Sequence, residues 1–209
     1  CIERYGVTPT VLFDRLGMYD YGGGGFHCVH MSDEDIGIFK KRGLWAVLNP
    51  ASNLKLASGI APVKRFLDEG IGLALGTDGA GSNNALDMFR EMYLTSVLPK
   101  YRENDASAVD ARSVLRMACV GGARAMWLCN CDGIAAGKKA DLAVIDLHRP
   151  NMRPINNIPK NIVYSGSKEN VRLTMVNGRV LYENGEFFIG EDPEKIYAEA
   201  EKIMETIRS

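Results

Sequence analysis

Two hydrophobic periods alternate along the first two-thirds of the chain. Short, largely apolar runs at Phe26–Val29, Leu44–Leu48 and Ile71–Gly76 are separated by segments whose apolar residues recur three and four apart. Such runs predict strands buried on both faces, and the intervening segments predict amphipathic helices. Ser32 with Asp35 three residues on signals the N-terminus of a helix over Ile36–Arg42, which Gly43 ends. Asn49-Pro50 stops the second strand, because proline cannot continue a ladder. A long polar loop is expected over 49–61, then a helix opened by Pro62 and closed by Gly70. Further helices are predicted over Ala85–Leu98 and Ala111–Leu128, the second interrupted only by Gly121-Gly122, a site suited to close helix packing. Strands alternating with helices in this way predict an α/β fold with parallel strands.

Near residue 130 the grammar changes. Ala140–Asp146 alternates like a half-buried strand, and Leu173–Phe188 reads as a hairpin around Asn177-Gly178, with a second Asn-Gly at 184 and 185. From Pro193 to Arg208, Ile196, Ala200, Ile203, Met204 and Ile207 share one helical stripe, expected to pack back on the body. The predicted partition is therefore a β/α part over 1–130, a small all-β part over 131–192 and a terminal helix over 193–209. Three strand–helix units cannot close a barrel, which takes about 250 residues. The β/α part is either a small open sheet with an edge to protect or the back end of something larger.

Composition narrows the classes. The 209 residues are 46% hydrophobic and 24% charged, with 25 Lys+Arg against 26 Asp+Glu, so no basic footprint for nucleic acid or an anionic membrane is present. The start, Cys1-Ile2-Glu3-Arg4, has neither a basic nor an apolar leader region, and a cytoplasmic protein is expected. Beginning on Cys rather than Met, the chain is expected to have its true N-terminus upstream. Five cysteines, at 1, 28, 119, 129 and 131, form neither a disulfide framework nor a paired CxxC site.

Asp78, in Leu75-Gly76-Thr77-Asp78-Gly79, stands at the C-terminal end of an apolar strand, where α/β proteins place catalytic groups. A carboxylate there can ligate a divalent metal and take a proton from attacking water, or it can cap the turn between its glycines. His27 and His30 flank Cys28-Val29; strand alternation sends them to opposite faces, so at most one enters a site, as proton shuttle or as a structural side chain. The loops Asn49–Gly59 and Gly79–Asn84 fall on the side of Asp78 and either border a ligand or make turns for their own sake. His148 receives no role. Cys129-Asn130-Cys131 has poor metal spacing, and Gly22–Gly25 lacks the GxGxxG order, so it is expected to be a flexible connection.

Taken together, His27-Cys28-Val29-His30, Asn49-Pro50-Ala51-Ser52-Asn53-Leu54-Lys55-Leu56, Gly76-Thr77-Asp78-Gly79 and Gly137-Lys138-Lys139-Ala140-Asp141-Leu142 resemble the amidohydrolase superfamily in order and spacing. Within it they resemble the branch of 5-methylthioadenosine/S-adenosylhomocysteine deaminases and s-triazine chlorohydrolases. The resemblance covers nearly the whole chain. It implies a (β/α)8 barrel with a composite β-sandwich and one divalent metal, zinc before iron, to which this chain would supply strands six to eight, part of the sandwich and the C-terminal helix. Asp78 would be the eighth-strand metal ligand and catalytic base. His27 would be the catalytic histidine that steadies and helps deprotonate the attacking water, and Asn53, Ser82 and Asn83 would border the substrate. The implied reaction is deamination of an adenine-containing nucleoside such as S-adenosylhomocysteine or 5-methylthioadenosine, with guanine- and triazine-type substrates as alternatives.

Two departures matter. The family's first-strand His-x-His pair and its fifth-strand histidine with a glutamate three residues on are absent, and they would lie upstream of Cys1. Leu48 stands where many members carry a histidine before Asn-Pro. One carboxylate and one histidine do not fill a zinc site, so the chain alone is expected to be inactive. The expected partners are a small purine-nucleoside-like molecule and either a second copy or a separate N-terminal half. A non-catalytic module that pairs with such a half is the alternative from another class.

Overall fold

The computed structural model describes residues 1–208. Two short helices, α1 (Ile2–Tyr5) and α2 (Pro9–Arg15), precede β1 (Gly24–Phe26), α3 (Asp33–Arg42), β2 (Trp45–Leu48), α4 (Pro50–Lys55), α5 (Val63–Asp68), β3 (Gly72–Leu75), α6 (Ala80–Asn83) and α7 (Met88–Glu103). Next, α8 (Ala111–Arg116) runs through a π-helical turn at Met117–Gly121 into α9 (Gly122–Ala125). The remainder is β4 (Leu142–Ile145), α10 (Ile158–Ser165), β5 (Val171–Val176), β6 (Arg179–Glu183), β7 (Glu186–Phe187) and α11 (Pro193–Arg208). Strands β1-β2-β3 form a parallel sheet in that order, and β4-β5-β6-β7 form an antiparallel one. The chain is thus mixed α/β, and no helix among the described residues is long and apolar enough to cross a membrane.

Local signals explain most of the parallel part. Ser32 and Asp35 close a reciprocal capping box, with Ser32 N–H donating to Asp35 Oδ2 at 2.9 Å and Asp35 N–H donating to Ser32 Oγ at 3.1 Å. Gly43 ends α3 in the left-handed region. Ala46, Leu48, Leu73 and Leu75 send their side chains to one face of the sheet, where Ile36, Phe39, Phe66 and Val114 from the surrounding helices join them in the core. Each of the Leu, Ile, Phe and Val side chains among them contributes roughly 1.5–3 kcal/mol on burial. The opposite face is covered unevenly: Ala74, in register with Val47, is buried, Trp45 and Val47 are half-buried, and Phe26, also in register with Val47, is 72% exposed.

Three elements differ from expectation. The first strand lies in the glycine run rather than after it, since a Cβ on Gly24 would sit 2.1 Å from the Trp45 carbonyl oxygen and only glycine lets the two strands pair. Pro50, after stopping β2, starts α4 instead of a loop, because its fixed φ suits the first helical position. α7 starts from the cap Asp87 and continues through the buried Pro99 to Glu103, its packing outweighing the lost backbone bond. The close packing expected at Gly121-Gly122 is found at Gly121, where a Cβ would lie 2.1 Å from the Leu73 carbonyl oxygen.

Beyond residue 130 both Asn-Gly turns are present, with positive φ at Asn177, Gly178, Asn184 and Gly185. Two departures follow. α10 rejoins the β/α layer, burying Val163 and joining the Tyr164 hydroxyl to Ser96 Oγ and Lys100 Nζ, each at 2.7 Å. α11 buries none of its residues, so the expected docking of its stripe on the body is not observed. An apolar stripe specifies that a helix has a face to cover, not which surface covers it.

Candidate active site

The C-terminal ends of the three parallel strands and the helices that follow them converge on Asp78. The chain leaves β3 at Leu75, and Asp78 adopts a left-handed backbone, φ 61°, which aspartate tolerates better than most residues. Its Oδ1 accepts from Gly79 N–H at 2.7 Å, and its Oδ2 accepts from Ser52 Oγ at 2.6 Å. These bonds, Ser52 first, with help from Ser82 and from the imidazole of His27, hold the carboxyl down at about 2. Asp78 is therefore ionised at neutral pH while remaining accessible. That combination suits a metal ligand, and the capping carboxylates Asp105 and Asp110 are lowered in the same direction.

His27 reaches the same point from β1. Its N–H donates to Val47 O at 2.8 Å, extending the ladder one residue, and then two successive positive φ angles, at His27 and Cys28, turn the chain out of the sheet. Strand alternation consequently does not apply at His30, which is exposed. His27 Nδ1 pairs with Asn53 Oδ1 at 2.7 Å, which makes Nδ1 the donor and turns Nε2 toward Asp78 Oδ2, 4.0 Å away. Beneath it, burial pushes the Cys28 thiol up to about 12, so this cysteine is a packing residue.

The three side chains expected at the substrate take different places. Asn53 is buried on α4 and orients His27. Ser82 is half-exposed beside Asp78, with its hydroxyl on Gly79 O at 3.1 Å. Asn83 lies underneath, 2% exposed, its Nδ2 donating to Thr77 O at 2.5 Å and Glu91 Oε1 at 2.7 Å and its Oδ1 accepting from Arg90. Its amide is spent on protein partners and supports the site from below.

Two participants escaped residue-level reading. Ser52 was inside the donor-rich loop but indistinguishable from its neighbours until α4 folded. Glu91, fully buried on α7, accepts from Asn83 Nδ2 and, through Oε2, from Ala51 N–H at 3.0 Å. Burial pushes its carboxyl above the usual range, with those two donors acting against the shift. The available signal was its spacing with Met92, Thr95 and Pro99, which places a carboxylate on the inward face of a helix.

A carboxylate is a donor type that zinc takes, so Asp78 fits a divalent metal as one member of a ligand set. Among the described residues no group of three or more His, Cys, Asp or Glu side chains is placed to complete one.

Comparison with known proteins places the chain in a family. The chain is 43% identical over 207 residues to the 5-methylthioadenosine/S-adenosylhomocysteine deaminase of Caldanaerobacter subterraneus, covering 99% of this chain and 48% of that protein. It is 40% identical to the 5'-deoxyadenosine deaminase of Methanosarcina acetivorans, covering 98% and 47%. Among solved structures, an adenosine deaminase from Xanthomonas campestris with bound zinc superposes with TM-score 0.93 at 34% identity, covering 99% of this chain and 47% of that one. Atrazine chlorohydrolase from Arthrobacter aurescens, in complex with zinc, superposes with TM-score 0.86 at 26% identity, covering 95% and 44%. The chain thus spans about half the length of the relatives it matches. The amidohydrolase family profile matches residues 5–181, and with it the parallel strands, Asp78 and most of the antiparallel sheet: this chain belongs to the amidohydrolase family.

Proposed function

We propose that the chain forms strands six to eight of a (β/α)8 metal-dependent hydrolase, with residues 131–192 contributing to its β-sandwich, and that the complete protein deaminates adenine-containing nucleosides. The observation that carries the reading is the accessible, ionised Asp78 at the end of β3, bonded to Ser52 and facing His27 Nε2. The half-covered face bearing Phe26, Trp45 and Val47 supports it, since an inward barrel face needs the remaining strands to close over it. Relatives named as deaminases of 5-methylthioadenosine, S-adenosylhomocysteine and 5'-deoxyadenosine point to the substrate class.

In this reading Asp78 contributes to holding one divalent metal, zinc before iron, together with ligands from the rest of the barrel. Bound there, such an ion supplies Lewis acidity toward water. Asp78 accepts a proton from the attacking water and delivers it to the amino group that leaves as ammonia, the ring carbon exchanging its C–N bond for a C–O bond. His27, held by Asn53, presents Nε2 to the water and keeps it aligned. Ser52 keeps Asp78 Oδ2 in place, and Ser82 borders the substrate.

Ammonia release from S-adenosylhomocysteine, 5-methylthioadenosine and 5'-deoxyadenosine, with guanine and triazines beside them, tests the reading in the complete protein. Turnover of the adenine nucleosides that disappears in Asp78→Asn is expected, and wild-type turnover in that variant overturns it. Preference for a triazine would move the substrate toward the chlorohydrolase relative and leave the roles of Asp78 and His27 standing. A complete protein inactive on the whole panel would favour the non-catalytic pairing module instead.

A further inference from the structure

We infer that Glu91 is a positioning residue that sets the place of Asp78 by clamping together the two segments between which its carboxylate is held. Glu91 sits on α7, outside the strand ends, and is fully buried. One oxygen accepts from Ala51 N–H, in the first turn of α4; the other accepts from Asn83 Nδ2, at the end of α6. The first bond does work that α4 lacks elsewhere, because its N-cap Asn49 makes no side-chain cap and the amides of a first helical turn need an acceptor. The next residue along α4 is Ser52, which donates to Asp78 Oδ2, and Asn53 after it orients His27. The second bond continues through the same Asn83 nitrogen to Thr77 O, one residue before Asp78. Both arms of a single carboxylate therefore end on Asp78, one at its side chain and one at its backbone.

Arg90 makes the arrangement directional. Its guanidinium donates to Asn83 Oδ1 and, at 3.1 Å, to Asn83 O, so the amide of Asn83 cannot rotate without setting donor against donor. Asn83 then presents only its NH2 to Glu91, and a group with two acceptor oxygens is required at position 91. Glutamine has the right size but offers one acceptor and turns an NH2 toward a donor. Aspartate is too short to reach both segments. The inference rests on the proposed role of Asp78 for its catalytic consequence, while the clamp itself stands on geometry alone.

The test compares wild type, Glu91→Gln and Glu91→Ala in the complete protein, with hydrogen exchange and steady-state kinetics side by side. Glu91→Gln is expected to speed exchange of the Ala51 and Ser52 amides and of the Asn83 side-chain amide by about tenfold, with the β5 amides unchanged. It is also expected to lower kcat by about 100-fold with KM held within about threefold, the mark of misplaced reacting groups rather than lost binding. Faster exchange spread evenly over β5 and α4 would make Glu91 a stability residue and overturn the inference, as would an unchanged kcat in an enzyme that Asp78→Asn inactivates. If Glu91→Ala fails to fold, Glu91→Gln decides alone. Should Asp78→Asn keep its activity, the functional reading fails, and exchange at Ala51 and Asn83 still decides whether the clamp exists.

Discussion

The parallel sheet with its helices and the antiparallel sheet with α11 treat their apolar residues in opposite ways. In the first, Leu44, Ala46, Leu48, Phe39, Phe66 and Val114 disappear from solvent and converge in one core. In the second, Val144, Phe187, Phe188, Ile203 and Ile207 stay between 44% and 71% exposed, and the buried residues Met152 and Val163 flank and lie in α10, the segment that returns to the β/α layer. Regular secondary structure forms in both. What separates them is a second layer: each parallel strand carries its own covering helix with the next connection, whereas a meander of hairpins supplies one layer and leaves the other to whatever packs on it. The site lies wholly in the self-covering region, on loops whose ends are anchored by buried groups, and it can be rigid for that reason.

This contrast is open to attack, most strongly through chemistry. Asp78→Asn is expected to lower ammonia release by about 10³-fold or more, while His148→Ala, in the antiparallel region, leaves it within about twofold; a reversed order would move the site across the molecule. Packing is the next lever. Phe66→Ala should destabilise by about 4 kcal/mol and Ile203→Ser by less than about 0.5 kcal/mol, both read from urea midpoints, and equal losses would mean that α11 is covered after all. Backbone approach gives a smaller contrast: Gly121→Ala forces a Cβ onto the Leu73 carbonyl and should lower stability by about 3 kcal/mol, against about 1 kcal/mol for Gly178→Ala, which meets only its positive φ in open solvent.

The smallest effect is the pH dependence of Asp78. Its carboxyl is at about 2 in the folded chain and near 4 when unfolded, so its stabilisation is complete above about 4 and lost as pH falls through about 2. Urea midpoints from pH 5 down to 2 should therefore fall slightly more steeply for the native chain than for Asp78→Asn. Parallel curves would mean that the Ser52 and Gly79 bonds do not survive in solution.

Much of the fold was legible in the residues. The capping box of α3, the glycine stops, the two Asn-Gly hairpins and the close approach at Gly121 each depend on a few adjacent positions, and each was found where the sequence placed it. Three of the departures share one cause. Gly24 is a strand residue because of the Trp45 carbonyl opposite it, α7 survives Pro99 because of what packs around it, and α10 leaves the antiparallel part to join α7 and α8. In each case a partner distant in sequence outweighed a sound local rule.

The site divides along the same line. Asp78 stood out from sequence alone because a strand end in an α/β pattern is an address that periodicity reveals, whereas only the family resemblance carried by the motif order separated His27 from His30. Which of the loop side chains face the carboxylate was decided only in three dimensions. Ser52, Asn53 and Asn83 are similar small polar residues in similar loops, yet one bonds Asp78, one orients His27 and one is locked beneath them by Glu91 and Arg90. Local sequence determines where a chain turns and which residues reach a strand end, because those choices depend on near neighbours. The partner each polar side chain meets there depends on elements that come together only when the core closes, and so the tertiary structure alone decided it.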